Sequence, residues 1–182
     1  MLWGDEVVDF NNVTALAYWR QKVVANGVFL GFGYTIDLYA GKKRTHVSFG
    51  ALGFGGVKED TSPAVFDQAV GALRRHVEWR LLSEVLARVD DGEEVEVGFF
   101  LFSRLGISRK RRFPAPKRAP WSATLEIRPF SSPEPGGVKI YASEREGEAR
   151  KIGDTLLDYP NVVLLPPLIR ACVDRYAGSP VS

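Results

Sequence analysis

A run of basic residues between positions 104 and 118 is the most distinctive chemical feature of the 182-residue chain. Seven cations occur there with no acid between them: Arg104, Arg109, Lys110, Arg111, Arg112, Lys117 and Arg118. Guanidinium groups make bidentate contacts with phosphate, and clustered cations raise the local positive potential. The pattern therefore predicts a site for an anionic surface, where each basic side chain near an acidic membrane contributes ~1 kcal/mol.

A solvated loop is the alternative interpretation of the same residues. Pro114, Pro116 and Pro120 are typical of a loop that keeps a sheet edge soluble. A nucleic-acid site would need aromatic residues among the cations, and only Phe113 lies within the run. The formal net charge of +2 also lacks the broad basic footprint of such binders, so nucleic acid is disfavoured as a partner.

The glycine-rich segment 50–56 lies between a predicted strand and a predicted helix, where phosphate-binding loops occur. The phosphate-loop pattern is absent, because Lys58 is followed by Glu59 and Thr61 comes too late. We interpret the segment as a crossover connection.

The residues that usually perform catalysis or bind metals form no recognisable motif. His46 and His76 are the only histidines, and neither has the partners of a zinc site. Cys172 lies on the inner stripe of a predicted helix and is interpreted as a small buried hydrophobe. We predict no metal, no cofactor and no enzymatic activity. An enzyme whose site is assembled from distant residues remains an alternative.

Alternating residues predict a three-stranded antiparallel sheet in the first quarter of the chain. A strand from Val13 to Val24 precedes Asn26-Gly27, the dipeptide that favours a type I′ hairpin turn. The return strand runs from Val28 to Tyr39. A third strand follows, with Arg44, His46 and Ser48 on one face.

A long amphipathic helix is predicted over residues 62–90, with Pro63 near its first turn. Its apolar residues change sides part-way along, at ~100° per residue. The first half contributes Val65, Phe66, Ala69, Val70, Leu73 and Val77, and the second half contributes Leu82, Val85, Leu86 and Val89. Either the helix bends near Trp79 or its halves face two hydrophobic cores, and we favour two cores.

The second half of the chain repeats the order of elements of the first half. Strands are predicted from Glu94 to Phe102 and after Trp121, followed by a final helix over 161–177. A start at Asn161 would place Pro166 and Pro167 past the first turn, where they should kink the helix. We prefer a start at Pro166 with Leu165 extended, because the prolines then fit the first turn. We expect a first lobe at 1–90, which includes the long helix, and a second lobe at 91–182.

Several short segments resemble the bacterial pleckstrin-homology-like families of uncharacterised proteins, in particular those with two such units in tandem. The segments are Val13–Leu16 with Asn26–Val28, Asp91–Val95 after the long helix, Pro120-Trp121, and Tyr159–Val162 before the last helix. The resemblance implies an α+β fold of two antiparallel β-rich lobes. Each lobe would be a barrel or sandwich with a C-terminal helix, and the long central helix would join them.

This resemblance predicts binding rather than catalysis, because pleckstrin-homology folds serve lipid, peptide and structural roles. Nine residues precede Phe10, whereas 28 residues separate the first helix from Trp121, so the first lobe is expected to have an incomplete sheet. An open edge invites pairing with another chain. We predict an adaptor that binds a protein through a sheet edge, an anionic surface through the basic loop, or both. The alternative is a structural or oligomeric component whose first lobe is completed by another chain.

The composition is that of a packed protein, with 45% hydrophobic residues. A single cysteine, no secretory signal and no apolar run of spanning length predict a cytoplasmic protein without a transmembrane segment.

Overall fold

The computed structural model describes residues 2–3, 6–26, 28–50, 62–110, 118–130, 136–143 and 148–178. The strands are β1 (Leu2–Trp3), β2 (Glu6–Val7), β3 (Ala15–Ala25), β4 (Val28–Ala40), β5 (Lys43–Gly50), β6 (Val95–Val97), β7 (Phe100–Ser103), β8 (Gly106–Arg109), β9 (Thr124–Phe130), β10 (Gly137–Ser143) and β11 (Ala149–Leu156). The α-helices are α1 (Ser62–Leu73), α2 (Trp79–Asp90) and α3 (Leu165–Tyr176).

All the sheets in these ranges are antiparallel. Three have three strands each, in the orders β3-β4-β5, β6-β7-β8 and β11-β10-β9, and β1 pairs with β2. The predicted α+β class is therefore confirmed. No sheet formed by these residues closes into a barrel, so the barrel form of the predicted lobes is not found, and their pleckstrin-homology-like arrangement stays a prediction.

The first sheet is built from two tight hairpins, as the turn residues predict. Asn26 adopts a positive φ of 51° between β3 and β4, and Gly27 lies outside the described residues. Gly41, with φ of 59°, opens the two-residue turn between β4 and β5. A positive φ is accessible to glycine and asparagine at little steric cost. These turns set a register that places Asp37 opposite His46.

The central helix runs without a break from Ser62 to Asp90, as predicted, but a five-residue π-helical segment at Arg74–Glu78 joins α1 to α2. A π turn accommodates one extra residue, so it turns the following side chains back by about 100° relative to an unbroken α-helix. The angle about the helix axis between the two apolar stripes is therefore smaller than the one calculated for an unbroken α-helix.

The buried hydrophobic residues form two clusters, and the central helix contributes to both. The first cluster comprises Val13, Leu16, Tyr34, Ile36, Leu38, Phe66, Ala69, Val70, Leu73, Val77, Leu81 and Leu164. The second comprises residues of β6, β7, β8, β10, β11 and α3, four residues of α2 (Leu82, Val85, Leu86 and Val89), and Ala119, Trp121, Ala123 and Val162. Leu125 and Ile127 of β9 pack against it. The expected division of the helix between two cores is confirmed. The lobe boundaries 1–90 and 91–182 stay a prediction.

The last helix begins later than 161 and one residue before Pro166, the start that the two prolines favour. Asn161 has a left-handed conformation with φ of 63°, a short 3-10 turn follows at Val162–Leu164, and α3 starts at Leu165. Leu165 is helical, with φ of −54° and ψ of −49°, so the expectation that it is extended is wrong. Two prolines follow it without cost to the helix, because N–H groups of a first turn have no intrahelical acceptor.

Candidate binding edge of the first sheet

The basic run divides between described and undescribed residues. Arg104 is exposed in the turn between β7 and β8, Arg109 ends β8, and Lys110 and Arg118 are the described residues on either side of 111–117. Arg111, Arg112 and Lys117 lie outside the described residues. Backbone hydrogen bonds join Ile107 of β8 to Ala119.

Three of the described cations meet carboxylates that are distant in sequence. The pairs are Arg109 with Asp154 at 3.2 Å, Lys110 with Glu96, and Arg118 with Glu94. Each pair is partly exposed and stabilises the fold by about 1 kcal/mol or less. Their larger effect is to lower the positive potential that the cations would present to an anionic surface.

A fully buried carboxylate, Asp37, lies on the middle strand of the first sheet. Arg44 donates to it from Nε (3.0 Å to Oδ1) and Nη2 (2.7 Å to Oδ2). The Nδ1 atom of His46 lies 2.7 Å from the same Oδ1 atom. The side chains of Arg44 and His46 are both 51% exposed. One buried acid thus holds two cationic or titratable groups at the surface of β5.

The strand register explains why these side chains meet. The backbone N–H and C=O groups of Leu16 on β3 both bond to Asn161, so they point away from β4. Leu16 and its partner Leu38 on β4 therefore share no backbone hydrogen bonds. The backbone groups of successive residues on β4 point alternately to β3 and to β5. Those of Leu38 face β5, so those of Asp37 face β3, and Asp37 and His46 share no backbone hydrogen bonds. Side chains approach most closely in such pairs, and Arg44 reaches Asp37 from the diagonal position.

The electrostatics of this cluster follow from its burial. Hydrogen bonding to Asp37 raises the pKa of the Arg44 guanidinium. Burial, followed by the charge of Asp37, raises the pKa of the neighbouring Tyr39 phenol. A buried carboxylate is costly unless its partners compensate for lost hydration, and here Arg44 and His46 supply three hydrogen bonds to it.

The outer edge of β5 is open among the described residues, where β5 pairs with β4 alone. The opposite edge of the sheet is occupied at Leu16, whose carbonyl accepts from Asn161 N (2.7 Å) and whose N–H donates to Asn161 Oδ1 (3.1 Å). By the same alternation, the backbone N–H and C=O groups of Arg44, His46 and Ser48 point away from β4. These groups can bond to another strand.

A small pocket lies where the helix meets the second cluster. It measures about 210 Å³ and is lined by Arg74, Glu78, Trp79, Leu82, Leu164 and Pro167. Trp79 is 68% exposed at its rim. The pocket adjoins the π segment, and π turns in α-helices are frequent at functional sites.

A polar group borders this pocket. The hydroxyl of Tyr18 donates to Glu78 Oε1 (2.9 Å) and accepts from Arg74 Nε (3.2 Å). Burial raises the pKa of Glu78 and raises the pKa of Tyr18 to about 12. A protonated Tyr18 is therefore the stable partner for Glu78 at neutral pH.

The other residues considered in the sequence have structural surroundings. His76 lies in the π segment and stacks against Phe10, with ring centroids 6.2 Å apart. Cys172 is buried in the second cluster, as predicted, and burial raises the pKa of its thiol to about 12. The glycine-rich segment from 51 onward lies outside the described ranges. Among described residues, no three His, Cys, Asp or Glu side chains gather as metal ligands, and no helix there is long and apolar enough to cross a membrane.

The sequence interpretation missed Asp37 because it treated His46 and Arg44 as ordinary residues on a polar face. One signal was present. Asp37 is flanked by Ile36 and Leu38 in the middle of a predicted inner strand, where a carboxylate needs a partner.

Comparison with protein-family models, with curated proteins and with solved structures finds no match for this chain.

Proposed function

We propose that the protein is a non-enzymatic binding protein of the adaptor type, which takes an extended segment of a partner protein along the outer edge of β5. In this mode the backbone hydrogen bonds of the added strand provide affinity, and alternate side chains provide specificity. The predicted pleckstrin-homology-like fold, which includes peptide-binding members, is compatible with such a role.

The observation that carries the proposal is the open edge of β5. The strand is eight residues long and contains no proline. Among the other long end strands, β9 contains Pro129, which lacks a backbone donor, and the edge of β3 is occupied at Leu16 by Asn161. β11 is as long as β5 and also lacks proline. We favour β5 over β11 because Asp154 of β11 is paired with Arg109 of β8.

Charged side chains on an edge strand usually discourage pairing. Arg44 and His46 differ from charged side chains that prevent pairing, because both are hydrogen-bonded to Asp37. Asp37 belongs to β4, so these bonds draw the two side chains over the sheet and away from its outer edge. The backbone of β5 is consequently less protected than its composition indicates.

Ser48 allows a test that separates the backbone from the side chain. Replacement by proline removes an outward N–H group that β4 does not use, and proline is tolerated at such edge positions. Ser48→Ala removes the hydroxyl and keeps the N–H group. Partners recovered from the source cells with the wild-type protein should be retained by Ser48→Ala and lost by Ser48→Pro. Equal recovery with a folded Ser48→Pro variant would refute edge pairing.

The same open edge favours a second candidate, an oligomeric component in which a further copy of the chain completes the first sheet. Light scattering at micromolar concentration should then show a dimer or larger assembly for the wild type and Ser48→Ala. Ser48→Pro should be monomeric. A wild-type monomer would remove this candidate and leave the heterologous partner.

Binding of an anionic surface by the basic loop is a separate part of the proposal. Three members of the run, Arg109, Lys110 and Arg118, are paired with acids, which lowers their attraction for an anionic surface. The support for this part of the proposal is therefore the positive charge of Arg111, Arg112 and Lys117 in the sequence.

A further inference from the structure

We infer that Arg44 and His46, held side by side on Asp37, form a binding site for an oxyanion group such as phosphate, and that protonation of His46 strengthens it. This site goes beyond the proposed edge pairing. It does not require a partner strand.

The two side chains keep donors that Asp37 does not use. Arg44 donates to Asp37 from Nε and Nη2, which leaves both N–H groups of Nη1 and one of Nη2. His46 contacts Asp37 through Nδ1, which leaves Nε2. Since both side chains are half exposed, a dissolved anion can reach these donors. A planar guanidinium with two free parallel donors matches the geometry of an oxyanion.

The donors are also held in place before an anion arrives. Arg44 Nε and His46 Nδ1 both contact the same Oδ1 atom of Asp37, which fixes their separation. Asp37 is itself fully buried beside Ala17 and Thr35, which are 0% and 4% exposed. Side chains that are ordered in advance lose less conformational entropy on binding. An apolar residue could fill a buried position without the desolvation cost of a carboxylate, so the contribution of Asp37 is the orientation of its two partners.

The charge of the cluster depends on His46. The charges of Asp37 and Arg44 offset each other, so protonation of His46 supplies the positive charge that attracts an anion, and the nearby Asp158 carboxylate opposes it. Among the described residues, the other groups whose charges act here are the phenol of Tyr39 on β4 and the carboxylate of Asp158 after β11. Affinity for an anion should therefore be higher wherever nitrogen-15 signals show that His46 is protonated, over the range from pH 8 to 5.5.

Sulfate is a suitable probe because its charge is constant over this range. Nitrogen-15 spectra of the imidazole groups report on two sites only, since His46 and His76 are the only histidines. At pH 5.5, sulfate should shift the His46 signals in a saturable manner and leave those of His76 unchanged. Where the spectra show a neutral His46, the affinity should be at least about tenfold weaker, as expected for loss of a charge-assisted hydrogen bond. Equal shifts at both histidines, or an affinity that does not follow the protonation of His46, would overturn the site.

Two substitutions separate the roles of the partners. Arg44→Lys keeps the charge but loses the bidentate fork, and should weaken sulfate binding about tenfold. His46→Gln should bind sulfate at every pH with the affinity that the wild type has when its His46 is neutral. Both positions are half exposed, so both variants are expected to fold, which circular dichroism verifies. Unchanged affinity in folded Arg44→Lys would contradict the inference.

The oxyanion could be a free ion or a group carried on a partner strand, and only the second source rests on the proposed function. A pentapeptide with a central phosphoserine should bind more tightly than inorganic phosphate at the same pH if it also pairs with β5. Ser48→Pro should reduce peptide binding and leave sulfate binding unchanged. Equal affinities of the peptide and inorganic phosphate would refute edge pairing for this peptide. The effect of Arg44→Lys on sulfate binding tests the anion site alone, because sulfate carries no strand.

Discussion

Leu81 and Leu82 are consecutive residues of α2, yet they are buried in different hydrophobic clusters. Leu81 is 3% exposed in the cluster of the first sheet, and Leu82 is 5% exposed in the cluster of the second half of the chain. Adjacent side chains of an α-helix point about 100° apart, so one turn of α2 serves both interiors. The transition between the clusters is therefore as abrupt as a helix allows.

Alanine substitutions at these two leucines should destabilise the protein to a similar degree but in different places. Each should lower the free energy of unfolding by about 2–4 kcal/mol, because each leaves a cavity in a packed core. Leu81→Ala should shift the methyl resonances of Ile36 and Leu38, and Leu82→Ala should shift those of Ile140 and Leu168. Urea titrations and methyl spectra provide the measurements. Perturbation of the same methyl groups by both variants would contradict the division.

Asp37→Asn tests how much the buried carboxylate stabilises the first sheet. The change removes the charge that holds Arg44 and His46, so unfolding should become about 1–3 kcal/mol easier. Asp174→Asn, at an exposed position of α3, is the matched control and should change stability by less than about 0.5 kcal/mol. If urea denaturation shows equal effects for the two variants, the Asp37 cluster does not contribute to stability.

Much of the fold follows from local pattern. Asn26, Gly41 and the alternation around Ile36 mark the hairpins, and the periodicity of 62–90 marks the central helix. The sequence does not predict the π segment, because no residue type at Arg74–Glu78 is specific to a π turn.

The surroundings of charged side chains were predicted less well than the strands. The basic run has no acid nearby in sequence, yet tertiary folding brings Glu94, Glu96 and Asp154 to it. The contact of Asp37 with His46 depends on strand register, and register follows from turn geometry that periodicity does not contain. Neither arrangement can be derived from composition alone.

Asp90 should make stability depend on pH in the acidic range. Tyr176 and Arg175 of α3 donate to its carboxylate at the end of α2, and these hydrogen bonds hold its pKa below the ordinary value. A carboxylate whose pKa is lower in the folded than in the unfolded protein stabilises the fold at pH values above its unfolded-state pKa, which is about 4. This stabilisation is lost as the pH falls through the pKa of the folded state. Asp90→Asn should therefore be less stable than the wild type at pH 7. The difference should disappear near pH 2, as followed by thermal unfolding.

Cys172 should be unreactive in the folded protein. Burial raises the pKa of its thiol to about 12, so very little thiolate exists at pH 8, and the thiolate is the reactive form. An aromatic disulfide reagent should modify it more than about a hundredfold faster in urea than in buffer. Rapid modification without denaturant would show that α3 separates readily from the second cluster.

The basic run should bind acidic vesicles mainly through the cations that have no described acid partner. Each such side chain is worth about 1 kcal/mol near an anionic surface, whereas Lys110 and Arg118 are offset by Glu96 and Glu94. The double change of Arg111 and Arg112 to serine should reduce pelleting with phosphatidylserine vesicles more than the same change at Lys110 and Arg118. Equal effects, or no pelleting of the wild type at low salt, would remove the membrane role.

Asn161 and Leu164 have a consequence for biosynthesis. Asn161 bonds to Leu16 across a separation of 145 residues, and Leu164 completes the cluster that the first sheet and α1 form. A nascent chain therefore has the edge of β3 unpaired at Leu16, and the first cluster without Leu164, until the residues after 160 have been translated. Contacts of such long range are slow to form, and an unpaired strand edge is prone to aggregate, so chaperone demand should be greatest while residues 91–160 are being synthesised.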